Sequence, residues 1–149
     1  MRRLIYSLQF TGHAAPAGDG SGVLKATTSA ASCTITTVAG PEGVRGTVAA
    51  AAGDRATCAS EITFTGETTF REAGTIAFGE HGHTLRFSTI GQGRLRPSAD
   101  PRCRHGAAIW QVDGGEGQFA GAGGVITANF LVSDAGELSA HHCGVLFVK

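Results

Sequence analysis

The sequence predicts an all-β protein: one eight-stranded antiparallel barrel, up-and-down and calycin-like, over residues 1–149. Three observations predict it. Helical periodicity is nearly absent, since no window holds apolar residues at i, i+3, i+4 and i+7 without a Gly or Thr interruption. Short period-two runs recur instead, at intervals near the roughly 8–12 residues expected of sandwiches and barrels. Finally, two such runs, 107–112 and 125–132, flank the segment Gly-Gly-Glu-Gly-Gln-Phe-Ala-Gly-Ala-Gly-Gly at 114–124. Glycines this dense between strands mark the bends and bulges that turn a sheet's corner and let it close.

The elements follow in order. Leu4, Tyr6, Leu8 and Phe10 alternate with Ile5, Ser7 and Gln9, giving a first strand with one apolar face. A Gly/Pro/Asp-rich turn at 14–22 leads to a strand at 23–28. A strand at 32–38, with Cys33, Ile35 and Thr37 on one face, meets the turn Gly40-Pro41-Glu42-Gly43 and returns over 44–51. Residues 58–65 read as the next strand. Residues 68–70 read as a short strand or part of a loop leading to 75–78. Leu85, Phe87 and Thr89 alternate with Thr84, Arg86 and Ser88 in a strand at 84–90. With Pro97 and Pro101, residues 96–102 read as a loop. The last hairpin pairs 125–132 with 138–148 around Asp134-Ala135-Gly136. Short turns favour sequential antiparallel pairing.

A chain of 149 residues fits one domain and buries about two-thirds of its unfolded surface. Its charges balance, 12 basic against 12 acidic, which argues against nucleic acid or a membrane surface as the main partner, because both reward a basic excess. Met1-Arg2-Arg3 is followed by an alternating run rather than a sustained apolar core, so no signal peptide is expected and the expected location is cytoplasmic. Cys33, Cys58, Cys103 and Cys143 are widely spaced. They read as free thiols in a reducing compartment, or as two disulfides in an oxidising one. The last strand is apolar on both parities, with Leu138, Leu146 and Val148 on one and Cys143, Val145 and Phe147 on the other. A two-sided apolar strand in a barrel points to a homo-oligomer.

The segment Gly-Glu-Gly-Gln-Phe-Ala-Gly-Ala-Gly-Gly, followed by an alternating strand, resembles the Gly-x-Gly-x-Phe-x-Gly-Ala-x-Gly corner of allene oxide cyclase-like and dirigent-like barrels. It is also similar to small bacterial barrel proteins of that architecture. The likeness is confined to residues 112–130. It implies an eight-stranded barrel with a mostly apolar cavity, often in an oligomer. It further implies a role in steering cyclisation or coupling of a reactive small molecule by holding one conformation. No catalytic residue of that group maps onto a position here.

Five constellations bear on chemistry. Cys103/His105, His141/Cys143 and His81/His83 are each two apart, so each pair shares a face of a strand. If the two Cys/His pairs met, they would offer a tetrahedral zinc set, though no finger spacing is present. Among the carboxylates, Glu61 lies within a strand-like run, with Ile62 and Phe64 on the opposite parity. Arg86, between Leu85 and Phe87, is its candidate counter-charge. A carboxylate facing an apolar cavity has a raised pKa and can exchange protons with a ligand; the plainer reading is a solvent-facing charge. Nucleophilic catalysis lacks a Gly-x-Ser-x-Gly elbow. The glycine segment is not Gly-x-Gly-x-x-Gly and opens no helix, so it is no dinucleotide cradle. Ten aromatic side chains, spread over most strands, serve an apolar cavity or simply fill the barrel.

The leading expectation is a small barrel binding an apolar small molecule, with an isomerase or cyclase role. Glu61 and Arg86 are the expected catalytic pair, with Tyr6, Phe87 and Trp110 as cavity wall. No cofactor and no metal is called for. The alternatives are a structural or interaction domain with a side-chain-filled barrel, and a Cys/His metal-binding protein.

Overall fold

Alternation along the chain becomes the inside and outside of a closed wall. A computed structural model describes all 149 residues. The strands are β1 (Arg2–Pro16), β2 (Leu24–Ala30), β3 (Cys33–Gly40), β4 (Gly43–Ala50), β5 (Ala56–Phe64), β6 (Thr69–Phe78), β7 (Thr84–Thr89), β8 (Gly93–Pro97), β9 (Cys103–Glu116), β10 (Gly123–Ser133) and β11 (Glu137–Val148). There is no α-helix, and so no helix long and apolar enough to cross a membrane; the one helical turn is a 3₁₀ turn, Gly117–Phe119.

The barrel is a ring of eight antiparallel strands in the order β1, β2, β5, β6, β7, β9, β10, β11, closed where β11 pairs with β1. The expected eight-stranded barrel is therefore what forms. β8 extends the wall position of β7. Both lie between β6 and β9, with Ala73 opposite Ser88 and Phe70 opposite Gly93 on one side. On the other side, Phe87 faces Val112 and Leu95 faces Gly106. Residues 90–92 interrupt this strand.

Two expectations need correction. Residues 96–97 end a strand rather than lie in a loop, because Pro97 occupies its last position, where a missing N–H costs little. Residues 69–78 form one unbroken strand; Arg71, Glu72 and Gly74 hid its alternation, which runs Phe70, Glu72, Gly74, Ile76, Phe78.

The inward parity supplies the core. Phe10, Ile76, Leu85, Phe87, Ile126, Leu146 and Val148 are buried almost completely. At one end of the ring the glycine segment does what its composition predicts. Gly114, at φ +94°, sits at a bulge where Arg86 of β7 faces more than one residue of β9. The 3₁₀ turn then brings Phe119 into the lumen, 5.0 Å from the ring of Phe78. That end is plugged. Gly106 has a different reason: the Phe130 ring, directly opposite on β10, lies over it and fills the space a Cβ would need. The other end, where β5 and β10 finish and β2, β6, β9 and β11 begin, is open.

One pair of strands stands outside the ring. β3 and β4 form a hairpin inserted between β2 and β5 at the plugged end.

Candidate functional site

An interior cleft descends from the open end. Its mouth is made at strand ends by Leu24, Phe64, Arg104, Val132 and Leu138. Further in, Ile62, Phe70, Leu95 and Phe130 give apolar walls, and Thr28, Cys58, Ser60, Glu72, Trp110 and His142 supply the polar groups. The cavity volume is about 80 Å³, room for two or three waters at roughly 30 Å³ each.

Glu72 is the central group. It lies on the inward parity of β6, between Phe70 and Gly74, so the pleat alone directs it into the lumen. The Ser60 hydroxyl on β5 donates to Glu72 Oε1 at 2.6 Å. The Thr89 hydroxyl braces the same residue through its backbone, accepting from the Glu72 N–H at 2.8 Å and donating to its carbonyl at 2.9 Å. Burial disfavours the carboxylate and pushes the pKa up to about 7, while the Ser60 hydrogen bond pulls it the other way. Near neutral pH this carboxyl is both a proton donor and a proton acceptor.

Two of its polar companions in the cleft, His142 and Cys58, are uncharged. Burial drives His142 down to about 3, with His141 adding to the effect, so its imidazole is neutral. It stacks on Phe10, centroids 4.2 Å apart, and meets Trp110 edge-on at 4.9 Å. Trp110 in turn stacks on Phe87 at 4.0 Å. Burial, with the charge of Glu72 second, pushes the Cys58 thiol up to about 12, so it is no thiolate nucleophile. Two polar atoms of the cleft, Trp110 Nε1 and His142 Nδ1, are buried without a hydrogen-bond partner. Such atoms are rare in native interiors, and both are free to hydrogen-bond a ligand or a water. Arg104 is the only basic side chain among the cleft residues, and no carboxylate lies within ion-pair distance of it.

The residues expected from sequence are distributed otherwise. Glu61 and Arg86 do not face the lumen. On β5 the inward parity is Ala56, Cys58, Ser60, Ile62 and Phe64, so Glu61 points to solvent, cross-strand from Lys25. Arg86 projects from the outer face of β7, where it donates to the Asp113 carbonyl at 3.3 Å. The two share a shallow outer depression and form no ion pair. Tyr6, Phe87 and Trp110 all point inward, but only Trp110 lines the cleft. Phe87 backs it, and Tyr6 packs edge-on against Phe78 at 5.4 Å near the plugged end. Burial raises the Tyr6 phenol, whose hydroxyl is also without a partner.

The Cys/His pairs do not converge. Cys103, His105, His141 and Cys143 all face outward, on different rungs of the sheet: Cys103 lies opposite Ser133, His105 opposite Leu131, His141 opposite Asn129 and Cys143 opposite Thr127. No group of three metal-ligating side chains forms anywhere in the chain. His81 lies 3.3 Å from Asp54, and His83 Nδ1 accepts from the Gln118 N–H. The metal-binding alternative therefore lacks a site.

Sequence reasoning missed Ser60, Glu72 and His142 as a group. The signal for Glu72 was present: a carboxylate standing at an apolar position of a period-two run that begins and ends with Phe. No family model, no curated protein and no solved structure matches this chain, so the cleft is read from its own geometry.

Proposed function

We propose that the barrel interior binds a small molecule with a mainly apolar surface and one hydrogen-bonding group, and that Glu72 exchanges a proton with it, as in an isomerase or cyclase. The observation that carries this reading is the Glu72 carboxyl, held by Ser60 at 2.6 Å within apolar walls and raised to about 7. The orphaned Trp110 Nε1–H supplies a donor for a ligand oxygen, and the neutral His142 supplies a second polar contact. Since the cavity is only about 80 Å³, the ligand's reacting end enters while its remainder lies in the mouth beside Arg104. The resemblance of the glycine corner to allene oxide cyclase-like and dirigent-like barrels supports the same kind of activity.

The same small volume favours a second reading. Ligand pockets usually measure roughly 300 Å³ or more, and a barrel filled by its own side chains needs no ligand. The two readings separate in one experiment. Trp110 is the only tryptophan, so its fluorescence reports on the cleft. A set of small ketones and enones, titrated against the protein, is expected to give members that shift this emission. Hydrogen–deuterium exchange at the carbon next to the carbonyl of those compounds is expected to be faster with the protein than without, and to lose that acceleration in Glu72→Gln. If no compound moves the emission, the filled-barrel reading stands; if Glu72→Gln exchanges as fast as the parent, Glu72 is not the proton carrier.

A further inference from the structure

The β3–β4 hairpin plays no part in the cleft, and its composition is odd for a free arm. One face carries Cys33, Ile35, Ala39, Val44, Val48 and Ala50, with Ile35 directly opposite Val48 and Ala39 opposite Val44. Val44 is 73% exposed, and every residue of the arm beyond Ile35 lies open to solvent. Only Glu42 and Arg45 carry charge. An isolated two-stranded hairpin is marginally stable in water, and an apolar one without protecting charges is an adhesive surface.

A matching surface lies on the same chain. On the outer wall near the plugged end, Ile5, Val145 and Val125 form one cross-strand row over β1, β11 and β10, and Phe147 stands beside it. All four are at least 40% exposed. Next to this wall, the β1 edge from Arg2 to Phe10 has no strand partner, because β2 pairs with β1 only from Thr11 onward. The arm leaves the barrel at that edge: the Cys33 thiol points at the Ser7 carbonyl, 3.8 Å away. The two ends of the arm are tied together at its root by the Ser32 hydroxyl, which donates to the Asp54 carbonyl at 2.6 Å.

From this we propose that the chain is a two-fold symmetric homodimer in which each apolar arm lies across the Ile5/Val125/Val145/Phe147 wall of the other copy. This inference is independent of the reading of the cleft. The partner is a second copy because arm and wall adjoin on one molecule. A two-fold axis at their border satisfies both surfaces at once, as an isologous contact requires. Charge agrees, since the arm's tip bears Glu42 and the wall's end bears Arg2, Arg3 and Lys149, while Arg45 stands with Val38 on the arm's other face. The area suffices too. Eight residues at about 3.3 Å make each arm strand ~26 Å long, and two strands with their side chains span ~10 Å. Two reciprocal contacts therefore bury on the order of 1,000 Å² in total, the lower bound for a specific interface.

The test is the mass of the full chain in solution, by sedimentation equilibrium. The parent protein is expected at twice its 15.2 kDa chain mass. Val44→Glu with Val48→Glu, and separately Ile5→Lys with Val145→Lys, are each expected to give the single-chain mass with unchanged Trp110 emission. A monomeric parent overturns the proposal. So does a dimer that survives the arm variant, or one lost with the arm variant but not with the wall variant. Should either variant misfold, amide exchange on the parent decides. Protection of residues 34–49 is expected to rise on going from dilute to concentrated protein, and concentration-independent exchange there also overturns the proposal.

Discussion

Removing the charge of Glu72 by Glu72→Gln is expected to change how stability depends on pH. The unfolded carboxyl titrates at about 4.5, and burial raises this to about 7 in the folded chain. Between these values the folded state holds a proton that the unfolded state has released, so stability falls as pH rises through this window and the loss is complete above the folded pKa. A rise of about 2.5 units, at roughly 1.4 kcal/mol per unit, is worth about 3 kcal/mol. Gln has no proton to lose. Its stability relative to the parent is therefore expected to climb by about 3 kcal/mol between about pH 4 and about pH 8.5, after a small deficit at low pH from altered hydrogen bonding with Ser60. Urea unfolding followed by Trp110 fluorescence, for both proteins across that range, measures the difference directly. Every other titrating group is common to both and cancels. A difference that stays flat across the range would show that Glu72 ionises freely, and the argument for a proton-exchanging carboxyl in the cleft would go with it.

His142 has the opposite sign. Its folded pKa is lowered from 6.5 to about 3, so the unfolded chain protonates first and stability drains away as pH falls from about 6.5 toward 3, by up to about 5 kcal/mol. His142→Phe keeps the stack on Phe10 and is expected to flatten this acid limb; an unchanged limb in acid titration by circular dichroism refutes the assignment. Phe87→Ala removes a buried ring from the Trp110 stack and is expected to cost about 3–5 kcal/mol in urea unfolding, against under 1 if the core closes over the gap. Gly106→Ala puts a methyl under the Phe130 ring and near the Arg94 carbonyl, and is expected to lower the unfolding free energy by about 1–3 kcal/mol, with a neutral result arguing that the ring moves freely. At mildly alkaline pH, exposed Cys143 is expected to react with iodoacetamide, while Cys58, buried and pushed up to about 12, reacts only after unfolding; mass spectrometry of the digested protein distinguishes the two.

Much of the wall was legible because strand parity is a local property. Leu4 to Phe10 and Leu85 to Thr89 each show their inward face in the sequence, and each faces inward in the fold. The glycine segment announced a corner because few other residues fit one. Where a polar residue took an inward position, the same reading failed. Glu72 broke the pattern of β6 and made one strand look like two fragments, whereas Glu61 stands on the parity opposite Ile62 and Phe64 and is outward, as the plainer reading of its run had it. Choosing between the parities of a strand that is apolar on both requires knowing which side is lined by neighbours, and nothing local says that.

What the sequence determined by itself is the alternation, the turns and the corner, because each follows from backbone sterics and from where apolar side chains must go. Tertiary structure alone decided which rungs meet. It set Ser60 against Glu72 and His142 against Phe10 and Trp110, kept Cys103 and Cys143 on separate rungs, and left the β3–β4 arm outside the ring. Those outcomes depend on the register and closure of strands far apart in the chain, and so on the packing of the whole lumen.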